Sequence, residues 1–164
     1  MAAPFSTALL FALVSSLSFA LALSLSSVIP DSPDTRLIGA MWAMISGIIV
    51  TQDTRSATIS MAWLRVLGSL IGAVFSAIFL LLFPFSIPGM GVLIGIVVFT
   101  CLLLGLPGYL RLAALTAGIV MVVSVQNPDI PPVLNAAHRF LEVIVGSSVA
   151  IAAAWVWQYF SSGS

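Results

Sequence analysis

Two arginines stand in matching surroundings 74 residues apart. Arg65 follows Gln52 by 13 residues and precedes Gly72 by 7, and Arg139 stands at the same distances from Gln126 and Gly146, without a gap. Arginine suits an anion, because its planar N–H fork matches a carboxylate with two parallel hydrogen bonds and its charge is never lost. Both arginines lie in apolar surroundings. A charge inside a membrane span costs roughly 2.5–3.5 kcal/mol on insertion scales, so such a residue is a functional candidate by default. The chemistry in view is the attraction of an organic anion. Each arginine also has a purely structural reading. Arg139 has Glu142 three residues on, at the spacing of a local ion pair. Arg65 has Gly68 there instead, so its structural alternatives are a pair with Asp53 or an interfacial anchor whose head reaches back to water.

The neighbouring residues extend the pattern. On a helix, offsets of three and seven return to nearly one face, so Arg65, Gly68 and Gly72 make a stripe and Arg139, Glu142 and Gly146 its counterpart. Glycines so spaced allow two backbones to approach closely and read as helix-packing seams. Gln52 and Asp53 end one apolar stretch, and Gln126 and Asn127 end the corresponding one; these polar groups are suited to face an aqueous cavity. Trp42 lies inside the first of these stretches, where it either packs in the core or stacks on a flat or cationic group. Trp63, Tyr109, Trp155, Trp157 and Tyr159 stand near the ends of apolar stretches, as an interfacial aromatic belt does.

Catalysis finds little support. His138 is the only histidine, and no His, Cys, Asp or Glu set has metal-ligand spacing. There is no phosphate-binding glycine loop and no nucleophile with a base in sequence reach. The expectation is a protein that is not an enzyme and uses no metal or cofactor. His138 reads as a polar residue at a helix start rather than a proton relay. A single cysteine, Cys101, excludes an intrachain disulfide and reads as a small core hydrophobe.

The elements that must position these residues follow from composition. Hydrophobic residues make up 61% of the 164, and charged residues only 6%, against about 25% in soluble domains. The chain reads as an all-α polytopic membrane protein. Five Arg balance five acids and there is no Lys, so nothing favours nucleic acid as a partner. At about 20 residues per span, six transmembrane helices are predicted, near 5–29, 36–52, 59–84, 87–105, 109–126 and 134–160. The breaks between them, IPDSPDTR, QDTRSATIS, FPFSIP, GLPGYLR and QNPDIPP, are rich in helix-ending residues. The stretch before the first apolar run holds no Lys or Arg, and the run to Ile29 exceeds a signal core. It is therefore read as a span rather than a leader. The terminal SSGS is small and polar.

No linker divides the chain, so residues 1–164 are read as one transmembrane domain built from two three-helix units, about 5–84 and about 87–160. Three is odd, so the second unit must enter the membrane from the opposite side, and the repeat is inverted. Such proteins bind near the midplane between repeats, and short segments at corresponding positions point to the site. Leu37–Thr51 and Leu110–Val125 are such a pair. With the N-terminus inside, Arg55, Arg65 and Arg111 face the cytoplasm, while Arg36 and Arg139 lie outside with Asp31, Asp34, Asp129 and Glu142. The positive-inside rule thus places both termini in the cytoplasm. Arg65 is expected about one turn inside its helix, and the two arginines about one to two turns from opposite membrane faces, marking opposite mouths of one path. The glycine seams predict a homodimer.

The stretch Trp42–Ala73, WAMISGIIVTQDTRSATISMAWLRVLGSLIGA, resembles the signature of the fusaric acid resistance and aromatic acid exporter family. It has a Trp-Ala opening a short helix, a polar turn, then Arg-x-x-Gly-x-x-x-Gly. AAHRFLEVIVGSSVA, residues 136–150, resembles the family's second arginine helix. The positions that match are Trp42, Arg65, Gly72, Arg139, Glu142 and Gly146. The family is similar in membrane fold to the plant aluminium-activated malate transporters, anion channels of paired six-helix subunits. The resemblance implies export of aromatic carboxylates across a bacterial inner membrane, sometimes with a periplasmic adaptor protein. Many members carry a soluble domain or second membrane block not seen in this sequence. The alternatives are therefore a malate-channel type of anion channel or a non-transporting subunit of a larger efflux assembly.

Overall fold

The structure, a computed structural model, describes residues 4–26 and 33–161. Asp31, the side chain of Asp34 and the last three residues of SSGS lie outside them. Among the described residues all regular structure is helical: α1 (Pro4–Ser26), α2 (Pro33–Val50), α3 (Arg55–Leu82), α4 (Ile87–Leu103), α5 (Leu110–Gln126) and α6 (Pro132–Ser161). Three of them contain stretches long and apolar enough to cross a membrane, Pro4–Leu25, Arg55–Leu82 and Pro132–Tyr159. The apolar helices Thr35–Val50, Ile87–Leu103 and Leu110–Gln126 are shorter.

Local chemistry explains the ends. The Ala57 N–H donates to Thr54 Oγ1 at 3.2 Å, an N-cap that satisfies a backbone donor with no helical partner. This cap starts α3 at Arg55, four residues before the position predicted from hydropathy. Ser86 caps α4 by accepting from the Gly89 N–H at 3.1 Å. Gly105 has φ +66°, and the Leu106 N–H reaches Cys101 O while the Gly105 N–H reaches Leu102 O. That pair of bonds is a Schellman close, which favours glycine because a Cβ is disfavoured at positive φ. It stops α4 at Leu103, so α4 is as short as α2 and α5 rather than running to 105. Pro132 starts α6, at a position where its missing N–H costs nothing.

The packing divides into two compact units, residues 1–63 with 142–164, and residues 64–141. Both boundaries fall inside a long helix, so α3 and α6 each contribute to both units. In the first unit α1 lies along α2, and Val14, Val50, Ala62 and Ala150 form a buried cluster from four helices. In the second, α4 lies along α5. Leu93, Val97, Cys101, Ala113, Ala117 and Met121 are buried there, with Ile71, Phe75 and Phe79 of α3 against them. The buried positions are mostly small. The exposed ones are large: Leu9, Leu13, Leu17, Leu21 and Leu25 run in four-residue steps along the outside of α1, as suits a surface in contact with lipid.

Candidate functional site

The core of each unit carries polar stripes. On α3, Thr58, Arg65, Ser69, Gly72 and Ser76 are buried, with Arg65 only 1% exposed. On α6, Asn135, His138, Arg139 and Gly146 are buried and Glu142 is half-buried; Arg139 is 3% exposed. Apart from the adjacent His138 and Arg139, successive members are three, four or seven residues apart, so each stripe follows one helix face. In the second unit, internal hydrogen bonds satisfy much of this polarity. Asn135 Nδ2 donates to Val120 O at 3.1 Å and to Ser124 Oγ at 2.7 Å, tying α6 to α5. Thr116 Oγ1 donates to Ser69 Oγ at 3.0 Å, and Ser76 Oγ donates to Gly72 O at 2.6 Å. Where water is scarce, such bonds avoid the cost of buried polar atoms without partners.

Arg65, Arg139 and Glu142 each have an interaction partner. Capacity remains on their side chains, since Arg65 Nη1, Arg139 Nε and Nη1, and Glu142 Oε2 are buried and make no hydrogen bond with the described residues. A guanidinium carries five N–H donors, so these atoms could still serve an acceptor-rich group.

The glycines bring backbones together. A Cβ on Gly72 would collide with Ala113 O and lie 3.0 Å from Ala117 N, where α3 crosses α5. One on Gly146 would collide with Ala43 O and lie 2.9 Å from Gly47 N, where α6 crosses α2. On Gly68 it would stand 2.9 Å from Leu112 Cβ and 3.2 Å from Tyr109 O. Any side chain at position 68 would therefore act through packing.

Arg65 lies deeper in its helix than the sequence suggests. Because Thr54 starts α3 early, Arg65 lies ten residues after Arg55, nearly three turns in rather than one. Arg139 lies seven residues after Pro132, about two turns in. Both belong to residues 64–141 and both are buried.

An opening with polar walls lies elsewhere among the described residues. A cavity of about 550 Å³ in the first unit is lined by Gln52, Asp53, Thr54 and Arg55 of the α2–α3 connection, with walls from α1 and α6. Arg55 stacks its guanidinium on Trp155, 3.0 Å from the ring centroid. Gln52 Nε2 donates back to Ile49 O at 3.1 Å and Asn127 Nδ2 to Val123 O at 3.2 Å, so each of these amides also closes the end of its own helix. Gln126 is exposed at the end of α5, and Trp42 is half-buried on α2 in the first unit.

Sequence reasoning missed Asn135 and Arg55. Asn135 carries a signal, standing four residues before Arg139 and seven before Glu142. Arg55 opens α3 from within a stretch whose composition reads as a loop.

The profile of a family described as fusaric acid resistance protein-like matches residues 9–153. No match is found among curated proteins or among solved structures. The matched span runs from the second turn of α1 nearly to the end of α6 and contains both arginine stripes and both glycine crossings. The chain belongs to the fusaric acid resistance protein-like family.

Proposed function

We propose that the protein exports organic anions, aromatic carboxylates foremost, across a bacterial inner membrane. The observation that carries this reading is the pair of arginines buried on polar helix faces of an otherwise apolar protein. A positive charge kept in such a place at the expense of its hydration is best explained by an anion that passes it. Membership of the family supports a membrane transport or resistance role, and the three long apolar helices support a membrane location. Arg65 and Arg139 attract the anion, Glu142 tempers Arg139, and Trp42 offers a flat face to an aromatic ring. The six helices are taken as six spans in an inverted repeat, with both termini cytoplasmic. Support comes from the reciprocal crossings. Gly72 of α3 meets the middle helix of the second repeat, and Gly146 of α6 meets the middle helix of the first. The working unit is a homodimer, with a periplasmic adaptor protein as a further partner.

The test is flux in proteoliposomes. Uptake of an aromatic carboxylate is expected to collapse when Arg65→Gln and Arg139→Gln are combined in a protein that stays monodisperse. Undiminished flux in that variant would overturn the assignment. A folded parent protein that shows no flux and is stable only with another protein would point to the subunit role instead. Glu142→Gln is expected to lower the concentration of carboxylate needed for half-maximal uptake severalfold, because it removes a negative charge one turn from Arg139. An unchanged or higher concentration would show that Glu142 does not oppose the anion.

A further inference from the structure

The cavity beside Arg55 does not end where its polar walls end. An apolar groove of about 420 Å³ runs from it between α1 and α6, and the two share Leu10 and Trp157. The groove is floored by Leu10, Leu13, Leu17 and Leu21 on one side and by Val149, Ala152 and Val156 on the other. From Leu10 to Leu21 is eleven residues of helix, about 16 Å. A polar chamber opening into a long apolar trough has the outline of an amphiphile with a compact head and an extended chain.

The head chamber carries one charge of each sign, Arg55 and Asp53, together with the neutral polar residues Thr7, Gln52, Thr54 and Gln158. A small aromatic carboxylate would satisfy Arg55 but face Asp53, and would leave the trough empty. A second copy of this chain would offer the trough leucines and leave the two charges unanswered. A head with a phosphate and an ammonium answers both. Stacking on Trp155 occupies the guanidinium face and leaves its N–H edge for phosphate oxygens. Trp155, Trp157 and Tyr159 on the last turns of α6 belong to the kind of aromatic belt that lies at headgroup level.

We propose that this chamber and groove together form a binding site for a zwitterionic aminophospholipid. The phosphate lies at Arg55, the primary ammonium at Asp53, and one acyl chain lies along the α1–α6 groove.

The protein is delipidated in detergent and titrated by native mass spectrometry with short-chain phosphatidylethanolamine, phosphatidylglycerol or 4-hydroxybenzoate. Phosphatidylethanolamine is expected to bind one per chain, about tenfold more tightly than phosphatidylglycerol. Asp53→Asn should erase that preference, and Arg55→Gln should weaken both lipids about tenfold. Ala152→Phe changes an exposed side chain that lines the groove. It should weaken both lipids in a protein that folds normally. Equal affinity of the parent for the two lipids would overturn the proposal, as would lipid binding indifferent to Ala152→Phe. So would 4-hydroxybenzoate competing as strongly as lipid, or a disulfide between copies at Leu17→Cys that survives saturating lipid. Arg65 and Arg139 do not line this site, so its failure leaves the transport reading standing.

Discussion

Gly146→Ala is expected to lower stability by about 3 kcal/mol, at the upper end of what overpacking costs, and Gly146→Leu to yield no folded protein. The reason is what the new atom meets. A Cβ at 146 runs into Ala43 O and close to Gly47 N, both backbone atoms of α2. A side chain can rotate out of the way, whereas a helix backbone moves only as a body. Relief would require α6 to lift off α2 and open the crossing around Ala43, which is fully buried. Gly95→Ala on α4 is the control, because nothing lies within 4 Å of its Cβ position. There the helix propensity of alanine should raise stability by up to about 1 kcal/mol. Denaturant titrations of both variants in one detergent, followed by tryptophan fluorescence, measure the contrast. If Gly146→Ala is as stable as the parent while Gly95→Ala behaves as stated, the crossing is looser than its geometry implies.

That contrast shows how far sequence reading reaches. The stripes of Arg65 with Gly72 and Arg139 with Gly146 were legible, because helical spacing is a property of the sequence itself. The helix across which each glycine packs was not, because partner choice is tertiary. The breaks at FPFSIP and QNPDIPP were placed well, since proline and asparagine stop helices by local chemistry. The start of α3 was missed for the same kind of reason. One hydroxyl, Thr54 Oγ1, caps the helix from inside a stretch that hydropathy reads as turn. That one bond decides how deep Arg65 lies. The division of α3 and α6 between two packed units was also invisible, because contiguous three-helix repeats give no hint that a helix begins in one cluster and ends in another. The chamber beside Arg55 draws on three segments far apart in sequence, and no local pattern announces it.

Arg65→Lys decides what the buried charge is for. Lysine keeps the positive charge and, in this wholly buried position, nearly the same reach, but it replaces a planar fork of five donors with a point charge bearing three. If Arg65 only balances a neighbouring acid, or only anchors α3, lysine should restore the parent rate of carboxylate flux. If it grips a carboxylate through paired hydrogen bonds, lysine should lose one of them. The loss of a charge-assisted bond then corresponds to a flux on the order of tenfold lower at subsaturating substrate. Arg65→Gln removes the charge as well and should bring the loss to on the order of a hundredfold. The series is parent, lysine, glutamine, measured in proteoliposomes at matched protein incorporation, with tryptophan fluorescence confirming that all three fold. A graded fall with lysine in the middle fits recognition of the anion's geometry at Arg65. Full flux in the lysine variant would remove the fork from the mechanism and leave only its charge, and full flux in the glutamine variant would remove Arg65 from the path altogether.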